Sequence, residues 1–144
     1  MTTRDPDRAS AERLLLHLAR FGSSVSKAMA DATEQPEFVT NAPLLVLCLL
    51  DLEGPERPGP IGELVGLTSG GTTKLLDRME TAGLIKRSYG AIEADHRGVQ
   101  VVLTAKGRRL LRTATGSLIE HLPETADMVK EVVTLMESLG ASEV

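Results

Sequence analysis

The sequence has no tryptophan, one tyrosine and two phenylalanines in 144 residues. With so few rings (Phe21, Phe38, Tyr89), the interior must be filled by Leu, Val, Ile, Ala and Met, residues that favour helices packed on helices. Cysteine is scarcer still. Cys48 stands alone, which excludes an internal disulfide framework and any CxxC metal or redox motif. No apolar stretch approaches the roughly 18 residues of a membrane span, and "MTTRDPDRAS" lacks the apolar heart of a signal peptide, so a cytoplasmic protein with no membrane partner is expected. The three histidines, His17, His96 and His121, are scattered, with no HExxH pair and no acidic metal cluster. Neither a metal, a cofactor nor catalytic residues are expected, and the chain does not read as an enzyme. "GLTSGGTTK" superficially resembles a phosphate loop, but Thr72 stands where the phosphate-contacting lysine belongs and no buried strand precedes it.

Positive charge is in deficit overall, with a formal net of −4, but not everywhere. Residues 68 to 112 hold nine Lys or Arg against four acids, a local +5, leaving −9 for the rest. A basic middle between acidic flanks suggests one face made for a polyanion on a body that otherwise repels it.

With 42% hydrophobic residues the chain can bury a core, and its length suits one domain or two intimately packed lobes. From Ala11 to Ala32, Leu14, Leu18, Phe21, Val25, Ala28 and Ala32 step by four and three along one face of a long helix. Leu15, Leu16, Ala19 and Met29 widen that stripe beyond what one neighbour would cover. After "EQPEFVTNAP", the apolar run Leu44–Leu50 predicts a central buried helix, with Asn41 as its cap and Pro43 near its first turn. Cys48 reads there as a buried small hydrophobe, with a thiol sensor as the sharper alternative. The prolines and glycines of "EGPERPGP" stop this helix. "IGELVGLT" predicts a short helix ending at Gly66, and Thr68 or Ser69 caps the next, which runs through Thr81 with Leu75, Leu76 and Met79 inward and stops at Gly83. "LIKRSY" and "GVQVVLT" flank the polar loop "GAIEADHR" as a hairpin. Thr104 caps a further helix, and Pro123 separates it from a last one carrying Val129, Val132, Val133, Met136 and Leu139.

Short helix, tight turn, capped helix and hairpin, in that order over residues 60 to 104, make a winged helix-turn-helix. Its second helix is suited to a major groove, and its hairpin loop to the backbone or the adjacent minor groove. At the start of that second helix, Gly70 and Gly71 leave the backbone bare where the positive end of the helix dipole favours a phosphate. Ser69, Thr72, Thr73 and Lys74 supply short donors and one cation on its exposed side, a set that does not specify a base sequence. Arg78, one turn beyond Lys74, either reaches a phosphate or pairs with Asp77 or Asp95. His96 and Arg97 stand at the hairpin tip, where Arg97 could enter the minor groove.

"GELVGLTSGGTTKLLDRMETAGLIKR" followed by "ADHRGVQVVLTAKGRRLL" resembles the MarR family of bacterial transcriptional regulators. The matching positions are Asp77, Arg78, Met79, Glu80, Gly83, Leu84, Asp95, Arg97, Leu103, Thr104 and Gly107. The family more often has a polar or charged side chain where Gly70 or Gly71 stands, and an arginine where His96 stands. The resemblance implies a mostly α fold with a small β-hairpin wing, in which residues 42–104 form the winged helix-turn-helix and residues 9–36 and 105–144 a helical dimerisation lobe. It implies a homodimer, with Leu14, Leu18, Phe21, Val129, Val132 and Met136 at the dimer contact, bound to double-stranded DNA at a pseudo-palindromic operator. It further implies a repressor released by a small aromatic or anionic effector. A winged helix serving protein contacts without DNA is the alternative, and the +5 middle argues against it.

Overall fold

The structure, a computed structural model, describes residues 6–89 and 98–140. Among them the order is α1 (Pro6–Asp31), a 3-10 turn at Pro36–Phe38, α2 (Asn41–Glu53), α3 (Pro58–Val65), α4 (Ser69–Thr81), β1 (Ile85–Tyr89), β2 (Val99–Leu103) and α5 (Ala105–Gly140). The described strands form one antiparallel hairpin, in register from Ile85 opposite Leu103 to Tyr89 opposite Val99. Glu56 adds a single bridge to Val101, with backbone bonds in both directions. The prolines at 55 and 58 lack the N–H needed to extend it.

The chain divides into two compact units, Met1–Ala28 with Gly116–Val144, and Met29–Thr115. In the second, the core is built by Phe38, Leu47, Ile61, Leu76, Met79 and Val101 with their neighbours, all buried. Residues 29–36 and 105–115, which the sequence assigns to a dimerisation lobe, cluster with this unit instead. For residues 105–115 the reason is local: the start of α5 is bonded to the end of α4, as described below.

In the first unit, the Ser117 hydroxyl donates to the Ala28 carbonyl at 2.8 Å, and Ser24 Oγ lies 2.7 Å from His121 Nε2. His17 Nε2 and Glu131 approach to 3.9 Å. These contacts hold α5 against α1 on both sides of Pro123, and α5 runs through that proline unbroken rather than ending there. An internal proline costs a helix about 3 kcal/mol, so α5 carries that loss within an otherwise continuous helix.

Two further expectations change. Asn41 does not cap α2: Thr40 occupies the cap position, without a side-chain bond, and Asn41 sits at φ +52°, a left-handed conformation its short polar side chain tolerates. And the helix-stopping segment also starts the next helix, because Pro58 and Pro60 fall in the first turn of α3, where a missing N–H leaves nothing unpaired.

Cys48 is half-buried rather than buried, packed against the core. Burial, and then the charge of Asp51, push its thiol above its ordinary pKa. A thiol held in its protonated form is a poor nucleophile. Peroxide treatment is expected to leave Cys48 as the free thiol, and sulfenic acid or a mixed disulfide found on Cys48 by mass spectrometry would establish the redox role.

Candidate nucleic-acid interface

Three residues, Gly66 to Thr68, turn the chain from α3 into α4. Gly66 takes the left-handed conformation at φ +68°, and the N–H of Leu67 reaches back to Gly62 O at 3.1 Å, closing α3. Thr68 then caps α4, its hydroxyl oxygen accepting the Gly71 N–H at 3.1 Å. Helix α4 presses its start against α3 so closely that a Cβ on Gly62 would stand 2.7 Å from Thr72 Oγ1.

That contact fixes which face of α4 is outward. Thr72, Leu75, Leu76 and Met79 form the buried stripe. Thr72 is 3% exposed and its hydroxyl donates to the Thr68 carbonyl at 2.9 Å, so it belongs to the α3–α4 packing and not to the donor face the sequence suggests. Ser69, Gly70, Thr73 and Lys74 are exposed, with the Thr73 hydroxyl turned back to Ser69 O at 3.0 Å.

The adjacent glycines have different reasons. A Cβ on Gly71 would meet Thr68 Oγ1 at 3.3 Å, so its bareness serves the cap, and its N–H is already taken. Gly70 has open space where a Cβ would be. Nothing in the protein's own packing requires glycine there. The N–H groups of Ser69 and Gly70, at the first two helical positions, have no acceptor within the helix and lie at the positive end of its dipole.

The C-terminal half of α4 is tied down. The Arg87 guanidinium, brought across by β1, bonds Asp77 at 2.7 Å and Glu80 at 3.2 Å, and the Arg87 backbone N–H also donates to Glu80 at 3.1 Å. Arg78, expected to reach a phosphate or an acid, lies over the Phe38 ring at 5.7 Å. Arg108 pairs with Asp51 at 3.1 Å. Lys74, Lys86, Arg109 and Arg112 are exposed and make no ion pair among the described residues. The local positive excess is thus partly internal, and Lys74 is the cation that α4 itself presents beside Gly70. His96 and Arg97 lie outside the described residues.

The pairing of Arg87 escaped the sequence, and so did the contacts that Thr104, expected as a cap, and Gly107 make with the end of α4: the Thr104 hydroxyl lies 2.6 Å from Gly83 O and 2.9 Å from Leu84 O while accepting the Gly107 N–H at 3.0 Å. A Cβ on Gly107 would collide with the Leu84 carbonyl oxygen and stand 2.8 Å from Leu103 Cδ1. This explains why Thr and Gly stand three apart here: one caps α5 and holds the end of α4, the other lets the two backbones touch. Of the residues suggested for a dimer contact, Leu18, Val129 and Met136 are exposed, Leu14 and Phe21 are half-buried, and Val132, 9% exposed, is spent on packing within the chain.

No family model matches the chain. It is 35% identical over 88 residues to YfiV of Bacillus subtilis (strain 168), named as an HTH-type transcriptional regulator, a match covering 60% of this chain and 54% of that protein. The chain therefore spans about half the length of this curated relative. Among solved structures it is similar to RV1404 from Mycobacterium tuberculosis, with a TM-score of 0.71, 22% identity, and 99% of this chain and 96% of that one covered. It is similar as well to a MarR family protein from Bacillus stearothermophilus, with a TM-score of 0.68, 22% identity and the same coverage. The resemblance read from the sequence motifs is matched at the level of the whole fold.

Proposed function

We propose that this chain, built on the winged helix-turn-helix fold of the MarR type, is a DNA-binding transcriptional regulator that acts in the cytoplasm as a homodimeric repressor on a pseudo-palindromic operator. The observation that carries the reading is the outward start of α4, where Ser69, Gly70, Thr73 and Lys74 stand exposed beside the helix N-terminus. Backbone N–H groups, a hydroxyl and one ammonium on a groove-sized helix are the donors a phosphate and a base edge require. The similarity to a helix-turn-helix regulator over 88 residues supports it.

The dimer is supported by apolar surface on the first unit, where Leu15 and Ile119 are each 66% exposed and Leu16, Leu18, Val133 and Met136 are exposed as well. Such an area on one chain calls for a cover, and a second copy of the same surface supplies one. Two copies would present two α4 helices to half-sites spaced by about 34 Å or a multiple. Sedimentation as a monomer at micromolar concentration would remove the dimer.

Release by a small aromatic or anionic effector is supported by an open groove of about 610 Å³ in the second unit, where Lys106 and Arg109 stand with Thr33, Gln35, Leu110 and Thr113. The Lys106 ammonium is held by Ala82 O and Glu34 lines the groove too, so Arg109, with the polar side chains and a leucine around it, is the cation left to meet an organic anion.

The test is fluorescence anisotropy with duplex DNA from upstream of the chain's own gene and with a scrambled duplex, at two salt concentrations. Tight, salt-sensitive binding that prefers the upstream duplex is expected. Absence of binding to either at low salt would favour a winged helix used for protein contacts. Within this assay Lys74→Met is expected to lower the salt slope by about 1, as loss of one phosphate contact does.

A further inference from the structure

The end of α4 is closed twice. Gly83, at φ +78°, turns the chain so that its N–H bonds Glu80 O at 2.9 Å and the N–H of Leu84 bonds Met79 O at 3.0 Å, satisfying two of the carbonyls a helix end leaves open. The carbonyl of Ala82, the C-cap residue, is taken by Lys106: the ammonium donates to Ala82 O at 2.7 Å across 24 residues of sequence. The stem of the same side chain passes over Gly83, where a Cβ would meet Lys106 Cδ at 3.5 Å. One lysine from α5 thus covers the turning glycine with its methylenes and neutralises the negative end of α4 with its charge.

We infer that Lys106 is a positioning residue for DNA recognition, fixing the exit of α4 so that the donors at its other end keep their aim, and is not itself a DNA contact. By charge count Lys106 belongs to the basic stretch that suggests a polyanion, yet its ammonium is bonded to a carbonyl of its own chain. The consequence is specific. Loss of a phosphate contact reduces the number of counterions released and so flattens the salt dependence of binding, whereas loss of a positioning bond lowers affinity at every salt concentration alike.

The inference rests on the reading of α4 as a DNA-contacting helix, and two measurements keep the two apart. In the free protein, amide hydrogen exchange compares wild type with Lys106→Met and Lys106→Arg. The Met variant is expected to speed exchange at Gly83 and Leu84 about fivefold and the Arg variant to restore it, since both charge and reach are retained. In the anisotropy assay, Lys106→Met is expected to weaken binding about tenfold with the salt slope of wild type, and Lys106→Arg to recover most of the loss. A slope lowered by about 1, as expected for Lys74→Met, would make Lys106 a phosphate contact and overturn the inference. Unchanged exchange at Gly83 and Leu84 would overturn it equally. Should wild type bind no DNA, the exchange result still decides whether Lys106 closes α4, and the failure falls on the DNA-binding reading.

Discussion

Gly107→Ala is expected to lower stability by about 3 kcal/mol, as overpacking at a site that cannot relax does. The added methyl would collide with the backbone carbonyl of Leu84, and the neighbouring Leu103 Cδ1 would stand 2.8 Å away. Backbone cannot step aside as a flexible side chain can. The Leu84 carbonyl also accepts the Thr104 N–H at 3.1 Å, so moving it loosens the start of α5 as well as the end of α4. A control lies in the same helix: Gly116 has open space where its Cβ would be. Gly116→Ala is therefore expected to raise stability by about 0.5 to 1 kcal/mol through helix propensity. Urea unfolding of the two variants should move in opposite directions from wild type. A Gly107→Ala midpoint at or above that of wild type would mean that α5 and Leu84 do not touch as described.

Gly70→Asp is expected to separate stability from function, with opposite signs. The position is open, so a side chain meets nothing, and a carboxylate in the first turn of a helix stabilises it by about 0.5 kcal/mol. The same carboxylate would face the DNA phosphates from the centre of the proposed contact, and like-charge juxtaposition there should cost about two orders of magnitude in affinity. Gly70→Ala, which adds bulk without charge, should keep most of the binding. A Gly70→Asp protein that melts higher than wild type and still binds the upstream duplex at full strength would place the DNA surface away from the start of α4.

The local signals in the sequence were sufficient for the helix-turn-helix. Thr68 and Thr104 cap as expected, Gly66 and Gly83 stop their helices, and both strands of the hairpin fall where the alternation puts them. Each depends on residues no more than four or five apart. Thr72 was misplaced although its position was legible: it sits three, four and seven residues before Leu75, Leu76 and Met79, on the inward stripe, and its polarity hid that. Gly62, facing it, was the second clue. Pro123 and Asn41 failed differently, because α5 continues through a residue that ordinarily ends a helix, and Asn41 sits in a left-handed backbone conformation that its residue type does not announce. The partners of Arg87 and Lys106, and the approach of Gly107 to Leu84, could not be read. They lie 7 to 24 residues distant, and pairing across such distances is decided by the fold rather than by spacing.

The bonds from Thr104 and Lys106 to the end of α4 also set an order in time. While the chain is being synthesised, α4 emerges with its N-terminal cap already in place, since Thr68 precedes it. Its other end must wait until residues 104 to 107 have been added and the hairpin has folded back to deliver them. A chain interrupted within the hairpin would therefore display an open-ended helix on an incomplete core, the kind of exposed intermediate on which chaperones and proteases act. The end of α4 is closed only when the first turn of α5 arrives.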